Sequence, residues 1–505
     1  MDPTRNHPKL YQINARVWIS RYTEKIGRTA TLDDVADAEL DALAELGFDW
    51  IYLLGVWQNG EASRRIAQSD EQLQKEYVQV LPDLRDADIC GSCFAIASYE
   101  VNPALGDERA LTRLRQRLHS RNMQLMLDFI PNHTAIDHPW AFKQPEYYVP
   151  GDETLLVKEP QNYIRLQTIY GERILAHGRD PFFPAWRDTL QLNYGNPEVQ
   201  SAMIREAQKI AELCDGLRCD MAMLLLPQVF ERTWGIKTEP FWSRLIQTLR
   251  AQKPDFIFLA EVYWDLEREL QQQGFDYTYD KGLYDRLTQQ QARPLREHLR
   301  AQSSYAARMA RFLENHDEPR AASVFPAPVH RAAATAAYTL PGLRFFHDGQ
   351  LEGYPKRIPM QLCRAPNHPA DEELKRFYRQ LLRCLDQPAL QQGDWILIEP
   401  SPAWDGNWTW EDFVISLWIT QDDSALLAVV NYASHQSQCY ARLAWESLRD
   451  HSWRLEDLLS STHYVRPGSR LISPGLYLDL PPWGAHIFQI LPEGKTPREG
   501  GVSAL

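Results

Sequence analysis

Apolar runs and amphipathic runs take turns along the first 350 residues. Residues 10–19 are rich in β-branched and aromatic side chains and predict a first strand. Residues 31–46 predict a helix, with Asp33 and Asp34 near its start and Gly47 just past its end, where the helix dipole and a left-handed terminator favour them. Residues 48–55 read as a buried strand. Residues 107–119 read as a helix with Leu111, Leu114 and Leu118 along one side, and 123–130 as the next strand. A helical run, 198–214, leads into a short strand at 216–220. Strands at 255–262, 275–279, 309–314 and 342–346 complete a set of eight. Strand and helix at this spacing predict parallel βαβ units, and eight is the number that a closed (β/α)8 TIM barrel requires. The periodicity alone is equally met by an open doubly wound sheet.

Two regions depart from that rhythm. Residues 134–192 are rich in Pro, Gly, Tyr and Trp and show no helical period, as expected of a small inserted domain after the third strand. From about Trp395 the pattern becomes short alternating strands between Pro and Gly clusters, the mark of a C-terminal antiparallel β-sandwich. The expected division is a barrel of residues 1–133 and 193–390, an insert of 134–192, a sandwich of 391–492 and a loose tail of 493–505.

Composition narrows the class. The 505 residues are 44% hydrophobic, 11% aromatic and 24% charged, which is ordinary for a globular protein of two or three domains. A net charge of −13 argues against nucleic acid or an anionic membrane as partner, since both need a basic face. The first residues lack the apolar core of a signal peptide, and no apolar run reaches the roughly 18 residues that span a bilayer. Seven cysteines without metal-type spacing suit free thiols in a reducing, cytoplasmic compartment. Cys90 and Cys93 form a lone Cys-x-x-Cys with no second pair to make a metal site. The 16 Trp and 22 Tyr suit sugar faces and large cores alike.

Charged residues at strand ends carry the candidate chemistry. Arg218 and Asp220 lie at i and i+2 of one apolar strand and so point to the same side, where the arginine would hold the acid ionised. A purely structural salt bridge reads the same way. Asp128, with Asn132 and His133 just beyond, ends the third strand; Glu261 ends the fifth; Asn315, His316 and Asp317 follow the seventh. A barrel gathers such strand ends on one rim.

The segments Asp128-Phe-Ile-Pro-Asn-His133, Gly216-Leu-Arg-Cys-Asp220, Ala260-Glu261 and Glu314-Asn-His-Asp317 resemble, in order, the four signature regions of the α-amylase family of glycoside hydrolases, family 13. Leu190-Gln-Leu-Asn193, Asp348-Gly-Gln-Leu-Glu-Gly353 and the stretch 476–488 resemble further motifs of that family, so the likeness runs from about Leu10 to Leu491. The resemblance implies retaining attack on an α-1,4-linked glucan or maltooligosaccharide. Asp220 would be the nucleophile, Glu261 the general acid and then base, and Asp317 the third carboxylate gripping the sugar. Retention needs two carboxyls roughly 5–5.5 Å apart, one ionised and one protonated. Burial on an apolar strand would raise Glu261, and Arg218 would lower Asp220. His133 and His316 would donate hydrogen bonds to the sugar, and Asp128 would organise the strand end. Phe94 would stack where the family often has a tyrosine, and Trp264 and Trp186 would stack glucose units farther along, or else be core. The same signatures serve 4-α-glucanotransferases, disaccharide isomerases and α-1,6-glucosidases, while a non-catalytic member would be expected to lose a carboxylate. No cofactor is required. Asn132 matches a calcium-ligand position, but Met221-Ala-Met-Leu224 replaces the Lys-His pair of many calcium-dependent members, and a single asparagine does not make a calcium site.

Overall fold

A computed structural model describes residues 6–422 and 424–493. Its centre is a closed barrel of eight parallel strands: β1 (Lys9–Asn14), β2 (Trp50–Leu54), β3 (Gln124–Phe129), β4 (Gly216–Cys219), β5 (Ile257–Ala260), β6 (Tyr277–Tyr279), β7 (Met309–Arg311) and β8 (Leu343–His347). Each strand pairs with its neighbours in sequence, and β8 closes onto β1 with Lys9 opposite Arg344. The closed ring excludes the open sheet. Strands such as β2 and β8 are buried at every position, because helices cover the outer face while side chains fill the inside.

The fifth strand, expected over 255–262, is Ile257–Ala260, and the seventh, expected over 309–314, stops at Arg311; two elements differ more. The first strand stops at Asn14, whose side chain accepts from the N–H groups of Arg16 and Val17 and so starts the helix Ala15–Ile26. The helix expected at 31–46 is split. Thr31 and Asp34 close a capping box around a 3-10 turn, Val35 is extended, and the helix proper is Asp37–Glu45.

Between β3 and β4 the chain leaves the barrel. Strand His133–Ala135 pairs antiparallel with Thr189–Gln191, and Tyr163–Thr168 forms a hairpin with Gly171–Ala176. Two helices occur there, Pro139–Lys143 and Glu153–Lys158, each too short to show a helical period in the sequence. The 17-residue helix Pro197–Leu213 then returns the chain to β4. The C-terminal region is a six-stranded and a three-stranded antiparallel sheet sharing one apolar core that includes Phe413, Leu427, Leu478 and Phe488. The Trp418 indole donates to Thr339 O at 2.9 Å and ties this unit to the barrel. Apart from Glu493, the expected tail lies outside the described residues. Among the described residues, no helix is long and apolar enough to cross a membrane.

Candidate active site

β4 begins at Gly216 because the barrel interior leaves no room there. A Cβ would meet Ile257 O at 2.9 Å and the Trp50 ring at 3.1 Å. Two residues on, Arg218 is fully buried; its Nη1 donates to Asp220 Oδ1 at 2.6 Å and its Nε to the Tyr279 hydroxyl at 3.3 Å. Its Nη2 lies 2.8 Å from Glu261 Oε2. The backbone fixes this meeting. The Asp220 N–H donates to Phe129 O and the Glu261 N–H to Cys219 O, so the parallel ladders run on past the strand ends and bring the two acids side by side.

Glu261 is held from two further sides. The Tyr263 hydroxyl donates to Oε1 and the Met221 N–H to Oε2, both at 2.8 Å. Burial raises its pKa to about 7, against the opposing pull of Arg218 and with help from the charges of Asp220 and Asp317. Asp220 departs from expectation. Burial pushes its carboxyl above the ordinary aspartate range, and the contact with Arg218 only partly offsets that. One guanidinium divided between two buried acids cannot fully compensate the desolvation of either. Asp317 is the exposed member of the trio, with 34% of its side chain accessible against 6% for Asp220 and 3% for Glu261. Burial opposes its ionisation, but the His316 ring, 3.1 Å from Oδ2, outweighs that and brings it to about 2, with Arg218 and Arg357 adding to the effect.

The other named residues surround this trio. Asp128 accepts from the Tyr52 hydroxyl at 2.5 Å and the Gly55 N–H at 3.0 Å, with Arg218 Nη1 4.0 Å away. The Phe94 ring packs 5.3 Å from that of His316 and lies 5.4 Å from the Arg218 guanidinium. His316 Nδ1 contacts Gln12 Nε2 at 2.9 Å. Burial lowers His133 to about 4, and Trp186 lies 5.0 Å from its ring. Trp264 turns to the rim instead. With φ at +67° it packs on Phe182 at 5.0 Å beneath the Arg232 guanidinium. Phe182 and Phe183 are 60% and 68% exposed there, and nothing in the local pattern marked them. Sequence reasoning also missed Tyr263, Tyr279 and Gln12. The signal for Tyr279 was its place at the end of β6, the same place that marked Glu261 on β5.

Asn132 does not fit a calcium ligand. Its Oδ1 accepts from Gln191 Nε2 at 3.0 Å, and its amide nitrogen approaches Gln191 Oε1 and His133. Ala222–Leu225 is a buried apolar 3-10 turn, and among the described residues no cluster of three or more His, Cys, Asp or Glu side chains could hold a metal. Among the described residues, no acidic cluster stands around Asn132 for a cation that needs roughly six oxygens.

Residues 29–376 match the family profile described as "Alpha amylase, catalytic domain". Alpha-amylase MalA of Haloarcula japonica is 25% identical over 442 residues, covering 84% of this chain and 55% of the relative. Alpha-amylase 3 of Dictyoglomus thermophilum is 23% identical over 312 residues, 55% of this chain and 57% of the relative. The chain thus spans little more than half the length of these curated relatives. An alpha-1,4-glucan:maltose-1-phosphate maltosyltransferase of Burkholderia pseudomallei is 24% identical over 72% of this chain and 28% of its own length. Among solved structures, the maltogenic alpha-amylase AmyB from Thermotoga neapolitana superposes with a TM-score of 0.69 at 19% identity, covering 97% of this chain and 100% of that one, which is a likeness of fold.

Proposed function

This chain belongs to the α-amylase family, and we propose that it cleaves α-1,4-linked glucans or maltooligosaccharides with retention, through a covalent glycosyl-enzyme. The observation that carries this reading is the single guanidinium of Arg218 spanning Asp220 and Glu261. Two carboxyls held by one guanidinium suit the roughly 5–5.5 Å of a retaining pair better than the roughly 6.5–9.5 Å that leaves room for an inverting water. Asp220 attacks the anomeric carbon while Glu261, raised to about 7 and protonated near neutrality, gives its proton to the departing oxygen. Glu261, now ionised, takes a proton from the incoming hydroxyl as that oxygen displaces Asp220. Asp317, ionised and half-open to the cleft, grips sugar hydroxyls and favours the distorted ring. All seven cysteines are free thiols, which supports a reducing, cytoplasmic setting.

Transfer to a sugar hydroxyl is the second reading, favoured by the likeness to a maltosyltransferase. Incubation with one pure maltooligosaccharide separates the two. Only shorter products mean hydrolysis, longer ones mean transfer, and an unchanged sugar together with unchanged starch and pullulan rules out both.

A further inference from the structure

One side of the barrel mouth carries three thiols that this chemistry does not use. Residues 88–90, in the segment leading to Phe94, pair antiparallel with residues 361–363, in the segment that follows β8. Ile89 faces Leu362, the Cys90 N–H donates to Gln361 O at 2.8 Å, and the Cys363 N–H donates to Asp88 O at 2.9 Å. This register puts Cys90 and Cys363 diagonally across one face of the ribbon. The two thiols lie beside each other, the Cys90 thiol donating to Gln361 O at 3.2 Å and the Cys363 thiol to Ala87 O at 3.5 Å. Cys93, the third, contacts the Met360 sulfur at 3.9 Å. Because no three donors converge on a metal position among the described residues, the arrangement is a dithiol rather than a metal cradle.

Its surroundings suit a reactive thiol. Arg16, 5% exposed, crosses beneath the ribbon, donating from Nη1 to Gly91 O at 2.8 Å and from Nη2 to Met360 O; its buried Nε has no partner. The guanidinium charge acts on all three sulfurs. Cys90 and Cys363 are half-buried and, with Arg16 and Arg64, line a cavity of about 520 Å³ that admits a small oxidant. The neighbouring Cys363 thiol and then the charge of Arg16 pull the Cys90 thiol down, whereas burial pushes Cys93 up to about 12 and leaves it inert.

We propose that Cys90 and Cys363 are an oxidisable dithiol whose disulfide ties the loop carrying Phe94 to the loop carrying Arg357, so that the redox state sets the freedom of the cleft mouth. With hydrogen peroxide as oxidant, the Cys90 thiolate attacks one peroxide oxygen, the O–O bond breaks, and hydroxide leaves to be protonated to water. The resulting Cys90 sulfenic acid is attacked by the Cys363 sulfur; the S–O bond breaks and a second water leaves. Two thiols lose two electrons and two protons, and the peroxide is reduced to two waters.

Peptide mapping of the full chain after peroxide treatment and alkylation tests this. The expected product is one linked peptide pair containing Cys90 and Cys363, reversed by dithiothreitol. Turnover of a maltooligosaccharide should fall about threefold or more on oxidation and recover on reduction, as expected when loops at the mouth limit turnover. Cys363→Ser and, separately, Cys90→Ser should keep the reduced activity and lose both the link and the response. Cys93→Ser should retain both. A link through Cys93, over-oxidised Cys90 without a link, or a linked protein with unchanged turnover overturns the proposal.

Discussion

Arg218 Nη2 stands 2.8 Å from Glu261 Oε2 while its Nη1 donates to Asp220 Oδ1 at 2.6 Å, so one cation is shared by the proposed acid and the proposed nucleophile. That sharing determines how the site should respond to pH. As general acid, Glu261 must be protonated, so kcat/KM should fall as pH rises through about 7. As nucleophile, Asp220 must be ionised. Its pKa is raised, so activity should be lost on the acid side above the range of an ordinary aspartate. A bell-shaped profile of kcat/KM is expected, and a flat alkaline side up to pH 9 would remove Glu261 from the acid's role.

Removal of Asp128 should cost stability before chemistry. Its carboxylate answers the Tyr52 hydroxyl and the Gly55 N–H in the dry end of the barrel. Asp128→Ala leaves both donors and part of the Arg218 charge uncompensated, so a loss of about 3–5 kcal/mol in denaturant unfolding is expected. A loss under about 1 kcal/mol would show that Asp128 does not organise the strand end.

Phe94 fills the space between His316 and Arg218 and offers a flat face to the site. Phe94→Leu keeps most of the volume and should cost less than about 1.5 kcal/mol in stability. It should still lower kcat/KM about tenfold through lost stacking and a looser Arg218. Steady-state kinetics beside a thermal melt separates the two effects.

A chelator should change nothing. Since the Asn132 amide is bound to Gln191, excess EDTA should leave both the melting temperature and the activity where they were. A drop in melting temperature restored by calcium would locate a cation that these side chains do not account for.

The architecture was legible because parallel strands buried on both faces read as mainly apolar runs, as Trp50–Leu54 does throughout, while the three-residue Tyr277–Tyr279 carried a weaker signal. The carboxylates Asp220 and Glu261 were legible as charges ending such runs. The direction of the Asp220 shift was not, because it depends on how deeply closure of the ring buries Asp220 itself, against an Arg218 shared with Glu261, which no local pattern records. Tyr263, Tyr279 and Gln12 reach the site from positions where a tyrosine or glutamine is unremarkable in sequence. Asn14 ends the first strand early through a cap whose acceptor is visible only once the helix N–H groups are placed.

The most direct measurement is to trap the intermediate. Glu261→Gln should bind maltooligosaccharides normally and turn them over at least about a hundredfold more slowly, since the general acid and base is gone. Treated with an activated fluoro-maltosyl fluoride, which needs no acid for departure, it should accumulate a covalent adduct on the peptide containing Asp220. A sugar attached to any other residue, or normal turnover with no adduct, contradicts the account.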